Sequence, residues 1–170
     1  LVDLGAQADR YEGSRYSLGF SAHSALGSLW EDGGDDIYRG WVGAQLSAAW
    51  DLSVTSFLDE AGDDRYEPGP GFSVGASAHN GFSLFVDGGG EDSYRVGPGK
   101  AGPNTYHSGE SLSIFVDAGG HTDRYVGGGL ANGKASVQPL VGIALDVGVP
   151  VEELTGEDLE EALNPTSDSR

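Results

Sequence analysis

Apolar and small polar residues alternate along most of the chain. Two stretches show this most clearly and resemble each other closely, YSLGFSAH at residues 16–23 and FSVGASAH at residues 72–79. A period of two residues is typical of β-strands, and no helical period occurs before residue 150. Glycine and proline interrupt the alternation, as at residues 67–71 and 96–99, and favour turns there. The pattern therefore predicts an all-β fold.

The alternating stretches belong to an internal repeat. Five segments carry an apolar or small-residue run, a turn and then Asp-x-Tyr, at residues 1–11, 29–38, 57–66, 85–94 and 115–125. Their tyrosines are spaced by 27, 28, 28 and 31 residues and are Tyr11, Tyr38, Tyr66, Tyr94 and Tyr125. The aspartates two residues before them are Asp9, Asp36, Asp64, Asp92 and Asp123. A nearly constant period of this length is the signature of a repeat architecture.

A unit of about 28 residues fits two architectures. In a parallel β-solenoid (β-helix) each unit is one coil, and equivalent residues stack ~4.8 Å apart. In an antiparallel meander or barrel each unit is a β-hairpin with its turn at the glycines. The same residue type recurs at each repeat position, which favours stacked coils. We therefore predict a β-solenoid of about five coils over residues 1–148, with the hairpin fold as the alternative.

On the solenoid interpretation, apolar ladders fill the interior. The first ladder is Leu29, Phe57, Phe85 and Phe115; the second, in part, is Trp30, Leu58, Val86 and Val116; the third is Leu26, Val54, Phe82 and Leu112. Neighbouring strand positions point to opposite faces, so either the first or the second ladder must lie near a corner or outside. The tyrosine ladder is predicted to pack inward, with its hydroxyls reaching the turns.

The repeat pattern ends after Lys134. Residues 137–146 are predicted to form a last strand without its turn. Thr155 and Asp158 have the spacing of a helix capping box, and Pro165 ends the short helix that follows. Residues 149–170 are therefore expected to hold a helix that caps the solenoid or docks on a partner, followed by a disordered tail. The apolar residues on one face of this helix are Leu154, Leu159 and Leu163.

The composition excludes several classes of partner. The 170 residues include 9 Lys+Arg and 27 Asp+Glu, which gives a formal net charge of −18. Nucleic acids and anionic membranes attract basic surfaces, so neither is an expected partner. No apolar run approaches the roughly 20 residues of a transmembrane helix, and cysteine is absent. The chain begins at Leu1 instead of Met, so we expect a secreted, periplasmic or cell-surface protein.

The candidate metal-binding residues lie in the acidic turns. Carboxylates stacked ~4.8 Å apart repel by ~0.9 kcal/mol in water and by ~3.5 kcal/mol at an effective dielectric constant of 20. Hydrogen bonds from turn amides, the arginine beside each tyrosine, or bound cations could offset this repulsion. Calcium takes six to eight oxygen ligands and suits flexible acidic turns. The candidate calcium ligands are Asp35, Asp36, Asp63, Asp64, Asp87, Glu91 and Asp92.

The turns resemble the glycine- and aspartate-rich nonapeptides of the RTX family. In the fourth repeat Gly88, Gly90, Asp92 and Tyr94 match the family pattern G-G-x-G-x-D-x-(apolar)-x, although its first glycine is missing. The likeness covers about nine residues in every 28. It implies a parallel β-roll with calcium in its turns. Because the nonapeptides are not contiguous here, the family's metal arrangement cannot be copied intact.

Two functions remain open from the sequence. Every repeat carries the same chemistry, which favours a non-catalytic structural, adhesive or assembly-subunit module. Its partner would be a protein of a larger exported assembly or a cell-surface polysaccharide. The alternative is a β-helix that binds or cleaves a polysaccharide. Residues peculiar to the second repeat are the candidates for that role, namely Trp41, Gln45, Trp50 and Asp51.

Overall fold

The regular secondary structure of the chain is β throughout its described part. The computed structural model describes residues 1–102, 108–120, 122–127, 129–138 and 141–149, which contain no helix and hence none that could cross a membrane. The strands are β1 (Arg10–Gly13), β2 (Ser21–Ala22), β3 (Leu26–Glu31), β4 (Ile37–Gly40), β5 (Ala49–Trp50), β6 (Val54–Asp59), β7 (Arg65–Glu67), β8 (Ser77–Ala78), β9 (Phe82–Asp87), β10 (Ser93–Tyr94), β11 (Leu112–Ala118), β12 (Arg124–Tyr125), β13 (Ala135–Gln138) and β14 (Gly142–Val147).

The strands form three sheets, to which successive coils contribute successive strands. The tyrosine sheet contains β1, β4, β7, β10 and β12, and the short sheet contains β2, β5 and β8. The long sheet contains β3, β6, β9, β11 and β14, with β13 added beside β14. All pairs between coils are parallel. The prediction of a parallel β-solenoid with about five turns is confirmed, and the hairpin alternative is wrong.

Adjacent coils are aligned so that equivalent repeat positions are paired. The tyrosine sheet pairs Tyr11, Tyr38, Tyr66, Tyr94 and Tyr125 in that order. The long sheet pairs Leu29, Phe57, Phe85 and Phe115 in the same way. The register therefore stacks like residues on like, as the repeat predicts.

Stacked aromatic rings form the core. Successive tyrosine rings are 4.8 to 5.1 Å apart between centroids and are within 8° of parallel. Phe57 and Phe85 stack at 4.4 Å, and Tyr38 meets Phe57 edge-on at an interplanar angle of 76°. Stacked and edge-to-face geometries are both favourable for aromatic pairs. The first apolar ladder and the three central tyrosines are buried, and Tyr11 and Tyr125 at the ends of the tyrosine ladder are partly buried, so both ladders are confirmed as core.

The other two apolar ladders point away from the interior. Leu26 is 75% exposed, Val54 43% and Trp30 41%. Alternate residues of a strand face opposite sides, so burial of Phe57 turns its neighbours outward. The prediction that the third ladder fills the interior is wrong. We call these outward ladders the Leu26 row (Leu26, Val54, Phe82, Leu112) and the Trp30 row (Trp30, Leu58, Val86, Val116).

Small hydroxyl side chains take the remaining inward positions. Ser47 Oγ donates to Thr55 Oγ1 at 3.0 Å and lies 3.2 Å from Ser83 Oγ. Ser77 Oγ and Ser113 Oγ are 2.6 Å apart in the neighbouring coils. Buried polar groups need such partners. The interior of the long sheet is therefore part polar, with hydroxyls on one side of the phenylalanines.

Non-glycine residues with positive φ mark the corners of the coils. Leu18, Leu46 and Val74 occupy equivalent corners with φ between 51° and 54°. The left-handed conformation costs an L-residue roughly 1–2 kcal/mol. Hydrogen bonds between coils hold it in place, since the Leu18 carbonyl accepts from Ser47 N–H at 3.0 Å and the Leu46 carbonyl from Gly75 N–H at 2.9 Å. The corner is thus a repeated feature of the solenoid.

The C-terminal region departs from the prediction of a single strand. Residues 137–146 contain parts of two strands, β13 and β14, which pair antiparallel. Val141 lies just before β14 with a φ of 64°, a conformation that belongs to turns. The chain therefore reverses where one strand was expected. The predicted helix with Leu154, Leu159 and Leu163 lies outside the described residues.

Substitution of Gly62 tests the close stacking of the turns. Gly62 has a φ of +143°, and a Cβ there would lie 1.7 Å from the Gly34 carbonyl oxygen. Gly62→Ala must push two coils apart, so we expect it to lower the free energy of unfolding by more than about 3 kcal/mol. Gly71→Ala is the matched control, with a φ of +101° but no atom within 4 Å, and should lose only roughly 1–2 kcal/mol. Urea unfolding measures both, and equal losses would contradict the stacking.

Candidate metal centre

Two columns of carboxyl groups lie between the long sheet and the tyrosine sheet. The strand-end column, paired across the long sheet, is Glu31, Asp59, Asp87, Asp117 and Asp146. The turn column, just before the tyrosine sheet, is Asp9, Asp36, Asp64, Asp92 and Asp123. All are buried except Asp9. The strand-end column follows the phenylalanine ladder by two residues, so it shares the inward face.

Backbone amides bind one oxygen of each buried turn-column aspartate. Asp36 Oδ1 accepts from Asp9 N–H at 2.6 Å, and Asp64 Oδ1 accepts from Asp36 N–H at 2.6 Å. The same bond joins Asp92 to Asp64 at 2.7 Å and Asp123 to Asp92 at 2.8 Å. Each carboxylate thus ties its own coil to the preceding one. These amide hydrogen bonds are the first of the three expected interactions that offset the repulsion between stacked carboxylates.

Tyrosine hydroxyls bind the strand-end column. Tyr38 O–H donates to Asp59 at 2.6 Å, and Tyr66 O–H donates to Asp87 at 2.7 Å. Tyr94 O–H also lies 2.9 Å from Asp87, so two hydroxyls meet one carboxylate. Burial and the nearby carboxylates raise the pKa of Tyr66 and Tyr94, which keeps both hydroxyls protonated. The tyrosine ladder therefore contributes hydrogen bonds as well as stacking.

Several buried carboxylate oxygens accept no hydrogen bond from the described residues. They are Glu31 Oε1, Asp59 Oδ1, Asp64 Oδ2, Asp92 Oδ2 and Asp117 Oδ1. The ion pairs found in this part of the chain lie elsewhere and are Arg10–Glu12, His23–Asp51 and Arg39–Glu67. The arginines thus do not neutralise the columns. A buried unpaired carboxylate is costly, so these oxygens call for protons or a cation.

The carboxylates approach one another closely enough to share a cation. In three buried groups, one oxygen from each residue lies within 4.8 Å of the other two. These groups are Glu31–Asp36–Asp59, Asp64–Asp87–Asp92 and Asp92–Asp117–Asp123. Calcium binds oxygen at ~2.3–2.6 Å, so two ligands of one ion can be up to ~5 Å apart. The donor set, with oxygen ligands alone, fits a hard divalent cation such as calcium.

Burial favours the protonated form of these groups when no cation is present. Burial raises the pKa of Asp59 to about 8, and the charge of Asp87 adds to the effect. Burial and neighbouring carboxylates likewise raise the pKa of Asp64 to about 10 and that of Asp92 to about 11. A cation would have to displace these protons. Protons and cations therefore compete for the same oxygens.

The seven predicted calcium ligands divide into two sets. The buried columns contain Asp36, Asp64, Asp87 and Asp92. A separate column exposed to solvent contains Asp35, Asp63 and Glu91. In that column, Asp63 N–H donates to Asp35 Oδ1 at 3.1 Å and Glu91 N–H donates to Asp63 Oδ1 at 3.0 Å. The exposed set therefore makes turn hydrogen bonds outside the buried groups.

Glu31, Asp59 and Asp117 are candidate ligands that the sequence prediction omitted. They occupy the same repeat position as Asp87 and align with it in the long sheet. Applying the repeat to Asp87 would have identified them. The hydrogen bonds from the hydroxyls of Tyr38 and its equivalents could not be predicted in this way, because the sequence does not specify which carboxylate a hydroxyl reaches.

A cavity of about 760 Å³ lies on the outside of the first coils. Its aromatic lining consists of Tyr16, Phe20, Trp50 and Phe72. The Arg15 guanidinium lies 5.0 Å from the centroid of the Tyr16 ring, and His23 Nδ1 lies 2.6 Å from Asp51 Oδ2 at the edge of the cavity. Gln45, a candidate from the second repeat, is buried and donates to the Val42 carbonyl. The lining combines exposed aromatic surface with hydrogen-bonding groups.

Comparison with known proteins identifies no relative. No protein-family model, curated protein or solved structure matches the chain. The likeness of the turns to RTX repeats stays a prediction, and a function has to be inferred from the geometry of the columns and the cavity.

In EDTA the protein should lose stability as pH rises. The folded state raises the pKa of Asp59, Asp64 and Asp92 above the ~3.9 of an unfolded aspartate, so it retains protons that the unfolded chain releases. This contribution is complete below about pH 4 and is lost as pH rises through folded pKa values of about 8 to 11. Thermal unfolding followed by circular dichroism should give a lower Tm at about pH 8.5 than at about pH 5.5.

Asp92→Asn tests whether the columns cause this pH dependence. The asparagine keeps an oxygen for Asp64 N–H but cannot ionise, so the slope of Tm against pH should become shallower. Asp63→Asn is the exposed control and should keep the wild-type slope. A wild-type Tm that stays constant or rises over this pH range would contradict protonated columns.

Proposed function

We propose that this chain is a non-catalytic structural module of an exported assembly, a β-solenoid stabilised by calcium in its carboxylate columns. The observation that carries the proposal is the series of buried oxygens without a hydrogen-bond donor among the described residues, which includes Asp59 Oδ1, Asp64 Oδ2 and Asp92 Oδ2. A calcium ion could bind these oxygens and offset the repulsion between coils. The expected partner is another protein of the assembly, at a secreted, periplasmic or cell-surface location.

A cation is favoured because neither the turn amides nor the ion pairs found among the described residues reach all of the buried carboxylate oxygens. The amides of Asp36 and Asp64 donate to Oδ1 of Asp64 and Asp92 respectively but leave Oδ2 of both residues. Arg39 pairs with Glu67, with Nε 2.8 Å from Oε2, and not with a carboxylate of the columns. Protons neutralise Asp64 and Asp92 up to pKa values of about 10 and 11, but Asp87, whose pKa burial raises only to about 6, is ionised at neutral pH. At neutral pH or above, a bound cation offsets the remaining negative charge.

Calcium fits better than other common metal ions. The columns offer carboxylates and tyrosine hydroxyls, and the sequence has no cysteine, so soft metals find no preferred ligand. Magnesium demands octahedral geometry at ~2.0–2.1 Å and usually keeps several waters, which suits a dry interior poorly. Extracellular calcium modules bind with Kd values of ~10⁻⁴–10⁻³ M. A calcium-dependent solenoid therefore agrees with the expected exported location.

A structural role is favoured by the sameness of the coils and the burial of the columns. The groups around Asp59 and around Asp92 repeat the same chemistry, and no described coil stands out as a reaction centre. Tyr38 and Tyr66 cover the carboxylates from inside the solenoid. A substrate would have no route to them. The buried carboxylates are therefore suited to linking adjacent coils.

Calcium should stabilise the protein at about pH 8. A ligand that binds only the folded state adds ~2.7 kcal/mol at 100 times its Kd. We expect saturable increases in Tm on titration with calcium chloride and reversal by EDTA, measured by scanning calorimetry. Magnesium chloride at equal ionic strength controls for screening of the net charge of −18. A Tm that is the same in calcium and in EDTA would refute the proposal.

Asp92→Asn should reduce the calcium effect most. Asp92 belongs to two of the buried groups, whereas the exposed Asp63 belongs to none of those identified in the described part of the chain. Asp63→Asn, which removes the same charge, should keep the full increase in Tm. Equal calcium effects in the two variants would place the ions outside the columns.

Binding of a neutral polysaccharide is a second candidate function, favoured by the aromatic cavity. Sugar rings pack their C–H faces on aromatic side chains, and their hydroxyls accept from groups such as Arg15. Tyr16 is 61% exposed and offers such a surface. The net charge of −18 repels a polyanionic chain. No carboxylate is among the residues that line the cavity in the described structure, so we propose binding without cleavage.

Tyr16→Ala tests the polysaccharide site. Loss of the ring should weaken binding of short glucose or N-acetylglucosamine oligosaccharides by about tenfold, equivalent to ~1.4 kcal/mol. Trp41→Ala removes an exposed aromatic residue that does not line the cavity and should leave the affinity unchanged. Isothermal titration calorimetry measures both, with galacturonate oligomers as the charged comparison. Absence of wild-type binding, or equal affinities in both variants, would eliminate this function.

A further inference from the structure

The outer face of the long sheet is apolar and carries no charge. The Leu26 row and the Trp30 row point outward, and the row between them contains Leu84 and Ile114. Only Ser28 and Ser56 are polar among the outward positions of β3, β6, β9, β11 and β14 between Leu26 and Leu145. Val137 of β13 pairs with Ile143 and extends the face. Charged residues are excluded from a surface that spans six strands.

This apolar face is open to solvent, with the side chains of β3, β6 and β13 most exposed and those of the central strands half-buried. Leu26 and Val137 are each 75% exposed, and Trp30 and Val54 are more than 40% exposed. The chain has a formal net charge of −18, so an uncharged face of this extent is not a general property of its surface. Contiguous apolar patches larger than a few hundred Å² mark interaction sites. The inward face of the same sheet is the more polar of the two, with Thr55 and Asp59 on either side of Phe57.

The face is large enough for a stable interface. Five strands about 20 Å long and β13, about 13 Å long, spaced by ~4.8 Å, cover roughly 540 Å². Two such faces in contact would bury roughly 1,100 Å² in total. A specific protein interface buries at least ~1,000 Å². The long sheet alone therefore reaches the size that a dimer needs.

We propose that the outer face of the long sheet packs against the same face of a second copy of this chain, with the sheets ~10 Å apart. Ladders on both faces repeat every ~4.8 Å, so the rows of one copy match the grooves of the other. A second copy is favoured because a two-fold interface needs one self-complementary patch, and the outward side chains of this patch carry no charge. The Glu60 carboxylate, which accepts from Trp30 Nε1–H at 3.1 Å, lies at the border of the patch. The proposal supplies a partner for the assembly role proposed above and rests on that role, but not on calcium.

Charges around the face favour one orientation. The exposed acids Asp32 and Glu60 follow β3 and β6, so they border the face at the ends of its strands. The corner before the long sheet carries the exposed His23, which pairs with Asp51, whereas the equivalent His79 is buried. A two-fold axis parallel to the solenoid axis makes the facing strands antiparallel. It sets the acidic border of each copy against the His23–Asp51 pair of the other, whereas the other orientation brings the two acidic borders together.

Leu84→Lys places a charge at the centre of the face. Analytical ultracentrifugation of wild type at about 10–100 μM should show a dimer, and Leu84→Lys should raise the dimer Kd at least about 100-fold. Ser56→Lys is a second variant with less risk to folding, because this outward position is already polar. Trp41→Lys is the control, an exposed residue on the segment after the tyrosine sheet, and should remain dimeric. Circular dichroism and Tm establish that each variant is folded.

Two results overturn the proposed dimer. If the wild-type chain is monomeric at about 100 μM, a second copy does not cover its apolar face. A dimer that persists in folded Leu84→Lys and Ser56→Lys uses a different surface. The effect of calcium on Tm can be measured on the monomeric Leu84→Lys variant, where association plays no part. The calcium proposal and the dimer proposal can therefore fail separately.

Discussion

Parallel alignment of successive coils constrains every side chain of this solenoid to lie beside its own equivalent. For aromatic residues the constraint is favourable, because Tyr38 and Tyr66 stack at 5.0 Å and Phe57 and Phe85 at 4.4 Å. For carboxyl groups the same spacing produces repulsion, which rises as water is excluded. One geometric rule thus generates both the main packing and the main electrostatic cost. The solenoid can exist only if the cost is offset in every coil.

The width of the solenoid interior determines which residue types stack at each position. Where the short sheet approaches the long sheet, serine and threonine hydroxyls bond to one another, as Ser47 does to Thr55. A Cβ on Gly27 would lie 2.6 Å from the Phe20 carbonyl oxygen, which shows how closely the coil folds on itself there. At the opposite side the tyrosines reach across to the strand-end column. Aromatic rings occupy the wider centre, and polar groups occupy both corners.

Repetition made the fold predictable from the sequence, whereas the inward face of the long sheet was not predictable. The recurrence of Asp-x-Tyr gave the coil length and the register, and both are confirmed. On β6, however, Val54 and Leu58 are as apolar as Phe57, so hydrophobicity does not distinguish the faces. The inward residue is the one that packs beside the tyrosines whatever its size, since on β3 Leu29 is buried and the larger Trp30 is 41% exposed. The exposure of the Leu26 row follows from that choice.

The candidate ligands divide for a related reason. Asp63 and Asp64 are neighbours in the same turn, yet one is exposed and the other is 1% exposed. Sequence spacing places both in acidic turns but does not give the direction of either side chain. Only Asp64 stands next to the tyrosine sheet with its Oδ1 held by the Asp36 amide from the adjacent coil. The distinction therefore depends on contacts between coils, which the pattern of a single repeat does not contain.

Electrostatics connects the buried columns with the outer face. The two columns hold ten of the 27 acidic residues, and neutralising all ten would remove more than half of the formal net charge of −18. Two copies in contact repel through that charge, and salt screens it only beyond a Debye length of ~8–10 Å. Protons or calcium ions in the columns would lower the repulsion without touching the interface. Occupancy of the proposed calcium sites and the proposed association through the long sheet would therefore be thermodynamically linked, with each favouring the other.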